Sequence, residues 1–118
     1  MTPGLQSPIM DDKEFAERCQ QELAVIEAAI EAVADNAADI DFETQGGILE
    51  VECADGSKVI VSPHAIAKEI WVAAKSGGFH FRYDAAAGAW IDTRSGDPLR
   101  ARLVEILKQQ GQVALDLS

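Results

Sequence analysis

Between residues 39 and 92 the chain is a succession of short runs in which apolar and polar residues alternate, broken by compact turn signals. A period of two, interrupted this often, predicts an antiparallel sheet with one apolar face and one wet face. Ile40 and Phe42 alternate with Asp39, Asp41 and Glu43 before Gln45-Gly46-Gly47 turns the chain. Leu49, Val51 and Cys53 then alternate with Glu50 and Glu52, Ala54-Asp55-Gly56 signals a hairpin, and residues 58–62 run back. Residues 63–68 read as a connection. In a fourth strand, over residues 69–74, Ile70 and Val72 oppose Trp71 and Ala73. Ser76-Gly77-Gly78 turns into a fifth strand over 79–83, and a loop around Gly88 leads to a sixth over 89–92.

Helical patterns flank these strands. Phe15, Cys19, Leu23, Ile26, Ile30 and Val33 recur at steps of three and four, one apolar stripe on a helix from 11 to 35. Asp11 and Glu14 have the spacing of a capping box, the alanines at 24, 28, 29, 32 and 34 favour the helix, and Asp35-Asn36 is its natural stop. Glu22 sits awkwardly at the edge of the apolar arc. Near the other end, Asp97 is placed to cap a helix with Pro98 as its first residue. Leu99, Leu103, Ile106 and Leu107 form the stripe, and Gly111 is a natural C′ residue. Val113, Leu115 and Leu117 alternate, so this segment should dock on the core. Helix, about six strands, helix is an α+β pattern. It predicts a two-layer sandwich in which both terminal helices cover one face of a mainly antiparallel sheet.

At 118 residues the chain suits a single domain over residues 11–118, preceded by a leader over 1–10 that reads as disordered. The leader lacks the basic residues of a secretory or organellar targeting segment, and no apolar run is long enough to span a bilayer. A cytoplasmic protein is expected. Cys19 and Cys53 fall at apolar-periodic positions outside any C-x-x-C pair, which favours buried free thiols.

Charge is distributed unevenly. Residues 11–43 hold eleven carboxylates against Lys13 and Arg18, so they account for all but one of the ten net negative charges. Such a field attracts cations and basic surfaces and repels nucleic acid. Glu27, Glu31 and Asp35 follow one another at intervals of four along one helix flank, while Asp39, Asp41 and Glu43 alternate on the first strand. A solvated acidic face explains this, and so does a shallow set of oxygen ligands or a docking face for a basic partner. The spacing of a calcium hand is absent. His64 and His80 lack a second ligand at metal spacing, no serine lies in a nucleophile elbow, and the glycine pairs turn between strands rather than opening helices. No catalytic constellation stands out. Trp71 alternates away from the core, so it either packs on neighbours such as Lys58 or Arg82 or anchors an interface.

The run Ile70-Trp71-Val72-Ala73-Ala74-Lys75-Ser76-Gly77-Gly78-Phe79-His80-Phe81 resembles the central signature of bacterial frataxin-like proteins, the CyaY group. Asp39-Ile40-Asp41, Gly46-Gly47, Asp55-Gly56-Ser57-Lys58, Trp90-Ile91-Asp92 and Arg94-Ser95-Gly96 follow the family's order and spacing, so the resemblance covers residues 11 to about 110. It implies a frataxin fold and an iron-binding accessory that regulates iron–sulfur cluster assembly. Ferrous or ferric iron would be held weakly by Glu27, Glu31, Asp35, Asp39, Asp41 and Glu43. Docking to the cysteine desulfurase and scaffold machinery would use Glu27, Glu31, Asp35 and Trp71. Ala28 and Ala32 stand where related proteins often carry further acids, which thins the ridge. An interaction module with incidental metal binding is the runner-up. A ferroxidase is the enzyme-class alternative, weakened by the lack of Glu-x-x-His helices; an enzyme in the usual sense is not expected. The expected state is a monomer, with iron-dependent oligomers left open.

Overall fold

The computed structural model describes residues 10–35 and 39–117. The leader, except Met10, and the helix stop at Asn36 lie outside the described residues. Helix α1 spans Asp12–Asp35, and its start follows from the capping spacing: the Glu14 amide donates to Asp11 Oδ1 at 2.8 Å. Phe15, Cys19, Leu23, Ile26 and Ile30 are buried along it, and Val33 is half-buried. The strands are β1 (Asp41–Gln45), β2 (Ile48–Glu52), β3 (Lys58–His64), β4 (Glu69–Ala74), β5 (Gly77–Asp84) and β6 (Ala89–Asp92), and helix α2 is Leu99–Gln109.

The six strands lie in chain order, each antiparallel to the next. Register sorts the side chains by face. Leu49 sits opposite Val61, Val61 opposite Val72 and Val72 opposite Phe79, which makes one inward row. Phe42, Val51 and Val59 form a second, and Ile70 and Phe81 belong to a third. These residues join the apolar stripes of both helices in one core cluster, so the two-layer α+β sandwich expected from the pattern is present. Leu115 and Leu117 are buried, as their alternation suggested.

The differences are local and have physical causes. Strand β3 runs on through Pro63 and His64, which read as a connection. Strand β2 pairs only with residues 58–61, so Pro63 sits where β3 has a neighbour on one side alone and its missing N–H costs no ladder bond. Ala74 pairs with Gly77, so the β4–β5 turn is Lys75-Ser76, and the two glycines belong to the strand. At the β1–β2 turn the expected glycine pair is required: Gly46 and Gly47 have φ of 61° and 80°, as a two-residue hairpin demands. Pro98, not Asp97, is the N-cap of α2, with extended backbone. Asp97 is drawn away by Arg102, whose guanidinium donates to Oδ2 at 2.6 Å, and by the Ser95 hydroxyl. Gly111 follows the C-cap Gln110, but the left-handed residue is Gln112, at φ 55°. Gly111 is needed for space instead, since a Cβ there would lie 3.1 Å from the Leu107 carbonyl oxygen and 3.4 Å from Cys53 Sγ.

Candidate functional site

The predicted acidic ridge wraps around the β1 edge of the sheet. Glu31 and Asp35 project into solvent from α1. Glu27 is half-buried and accepts a hydrogen bond from Thr44 Oγ1 at 3.1 Å, which ties α1 to β1. Thr44 and Phe42 point to the helix side of the sheet, so Asp41 and Glu43 point to the open side. Asp39, Asp41 and Glu43 are all exposed. The edge strand thus separates three carboxylates on the helix from acids on the open face. Among the described residues, no three His, Cys, Asp or Glu side chains lie close enough together to hold a metal ion as they stand.

Register adds two acids of β2, Glu50 and Glu52, to this edge. Asp41 lies directly opposite Glu52, and Glu43 opposite Glu50. Like charges facing one another across strands destabilise a sheet, so something must offset them. Lys58 of β3 does so in part: its Nζ is 3.0 Å from Glu50 Oε2. Its ammonium is held charged above the usual lysine range by Glu50 first, with Glu52 and Glu43 adding to the effect. Strand alternation together with the hairpin at Gly46-Gly47 carries the signal that would have found Glu50 and Glu52.

Trp71 packs on neighbouring side chains of the sheet, as one of its two readings has it. Its indole is stacked with His64, ring centroids 3.5 Å apart, and with His80, at 4.3 Å. Strands β3 and β5 flank β4 on opposite sides, so the two imidazoles cover opposite faces of the ring. The indole Nε1–H donates to Glu69 Oε1 at 2.9 Å, and Arg82 donates to Glu69 Oε2 at 2.7 Å. Glu69 is only 8% exposed. The two histidines, set aside for want of a ligand partner, are therefore packing partners of the one aromatic that the sequence reading singled out. Alternation already placed His80 on the face of Trp71; His64 was hidden because its strand was cut short at Ser62.

Reactive chemistry elsewhere is muted. Cys19 and Cys53 are free and buried, and burial pushes the Cys19 thiol up to about 12. A thiol so held is a weak nucleophile and a poor metal ligand at neutral pH. Cys53 is also raised, chiefly by burial.

Comparison with known proteins bears on this arrangement. A family model described as a frataxin-like domain matches residues 8–113. The iron–sulfur cluster assembly protein CyaY of Dechloromonas aromatica is 52% identical over 109 residues, covering 92% of this chain and 99% of that protein. Its counterpart in Cupriavidus pinatubonensis is 48% identical over 111 residues, covering 93% and 98%. Among solved structures, the frataxin of Psychromonas ingrahamii superposes with a TM-score of 0.82 at 30% identity, covering 92% of this chain and 99% of its own.

Proposed function

The chain belongs to the frataxin-like family, and from that membership we propose that it serves iron–sulfur cluster assembly as an iron-binding accessory and regulator in the cytoplasm. The observation that carries this reading is the exposed carboxylate array around β1: Glu31, Asp35, Asp39, Asp41 and Glu43, with Glu27 tied to Thr44. Its donors are oxygen alone. Such a set suits ferrous and ferric iron yet lacks the thiolates and imidazoles that hold transition metals tightly, so iron should exchange readily. A protein that senses iron or hands it on needs that lability. In this reading the iron is cargo, and the protein is not an enzyme.

The same acids would steer a basic surface of the cysteine desulfurase and scaffold complex, with Trp71 supplying apolar contact. No helix among the described residues is long and apolar enough to cross a membrane. A pure interaction module, with metal binding incidental, is supported by the hydrogen bond of Glu27 to Thr44 and the ion pair of Glu50 with Lys58, which occupy two of the acids within the chain itself. The deciding experiment is an NMR titration with ferrous iron and, separately, with the desulfurase. Iron should broaden resonances around α1 and β1, and Glu31→Gln, Asp35→Asn, Asp39→Asn and Asp41→Asn together should abolish most of that broadening. Broadening that centres on His64 or His80 and survives those changes would overturn the ridge assignment.

A further inference from the structure

The open face of the sheet holds an arrangement that the acidic array does not use. Trp71 lies between two rings that can take up protons. The His64 and Trp71 planes are inclined by 21°, and the Trp71 and His80 planes by only 4°. Beneath the indole edge, the Oε1 atom of buried Glu69 accepts the Trp71 Nε1–H at 2.9 Å and lies 3.6 Å from His80 Nδ1. One carboxylate oxygen therefore faces a donor that never titrates and a ring nitrogen that does.

The two imidazoles stand in different surroundings. From β3, His64 approaches with its Nε2 3.4 Å from the Ser62 hydroxyl, an uncharged partner. From β4, Glu69 supplies the negative charge, shared with Arg82 of β5. Across a cleft beside His80 stand Asp92, Arg94 and Arg102. Asp92 is engaged by the amides of Arg94 and Ser95, and Arg102 by Asp97 and Glu105. Glu69 is thus the carboxylate that His80 meets at contact range. A second imidazolium, on His64, would face the first across the indole and be repelled by it.

We infer that Glu69, His80 and His64 form a proton-responsive cage for Trp71: protonated His80 pairs with Glu69 and stacks as a cation on the indole, tightening its hold, while neutral His80 leaves the ring held by the Glu69 hydrogen bond and the imidazole stacks alone and more easily turned toward a partner. The use of this cage in docking rests on the function proposed above; the cage itself does not. A cation against an indole face and an ion pair on a buried carboxylate both favour the tightly held state. Docking through Trp71 should therefore weaken as the pH falls through the range in which imidazoles titrate, about pH 8 to 5.

The test is the indole N–H resonance of Trp71, followed by NMR in the full chain across that range, with the buried Trp90 indole as internal reference. The expected result is a single titration step that shares its midpoint with the His80 ring resonances. His80→Gln should abolish the step, and His64→Gln should preserve it. His80 is exposed, so its replacement leaves the fold intact. An indole resonance that stays flat, or a step that survives His80→Gln, overturns the cage. An intact step combined with desulfurase binding that ignores Trp71→Ala would leave the cage standing and sink the docking reading instead.

Discussion

Glu22 shows how a charge placed on an apolar stripe is accommodated. It is 8% exposed, and Arg100 of α2 grips both its oxygens, Nε to Oε2 at 2.9 Å and a terminal nitrogen to Oε1 at 3.1 Å. The pair joins the two helices across 78 positions of sequence. Arg100→Ala should destabilise the fold by about 3 kcal/mol, because it strands a buried carboxylate; the value lies at the low end for such pairs since Arg100 is 40% exposed. Replacing both residues by leucine should cost less than that single change, as urea unfolding of the three proteins would show. Asp92 acts through pH. Burial alone would raise its pKa, but the amides of Arg94 and Ser95 and the charge of Arg102 pull it below the usual carboxylate range. Its stabilisation is complete above the unfolded-state value of about 4 and is lost as pH falls through the lower folded value. Asp92→Asn should therefore flatten the acid limb of a stability curve measured by urea unfolding between about pH 5 and pH 2.

At the scale of elements, most of the architecture was legible because each element advertises a period. Stripes at three and four residues marked α1 and α2, and alternation together with turn signals marked the strands. What escaped depended on neighbours in space. Whether Pro63 can stay in β3 turns on where β2 stops pairing, and whether Asp97 caps α2 turns on the reach of Arg102. The acids of the candidate site were legible from spacing, whereas Glu50, Glu52 and the histidine stack needed strand register. Gly111 illustrates the same limit. Its place after α2 was legible, but its reason is crowding by Leu107 and Cys53, so Gly111→Ala should lower stability by about 1–2 kcal/mol in thermal or urea unfolding. For α1 the expectation is opposite in sign. Glu27, Glu31 and Asp35 repel at about 0.2–0.5 kcal/mol per adjacent pair, and Asp35 also opposes the negative helix end. Glu31→Gln or Asp35→Asn should leave the melting temperature unchanged or raise it, and a clear fall for both would reveal structural bonds at these carboxylates.

Over the whole molecule, the charge concentrated in residues 11–43 predicts association that is steered from a distance. Exposed charges are screened beyond about 8–10 Å at physiological ionic strength, so the proposed binding to the desulfurase should weaken steeply with salt. Glu27→Gln with Glu31→Gln should slow association more than it speeds dissociation, while Trp71→Ala should weaken binding with little change in salt slope. Surface plasmon resonance across a salt series separates these effects, and a flat profile with no response to the double change would rule out steering. The strand order has a further consequence. Every strand pairs with the one made just before it, so the sheet can assemble as the chain is synthesised. Helix α2 is made after all six strands, yet Leu99, Leu103, Ile106 and Leu107 cover part of the core. Until that helix emerges from the ribosome, the nascent sheet presents an uncovered apolar surface. If the strands pair before that helix docks, this face is the surface that a protein biogenesis factor would have to shield.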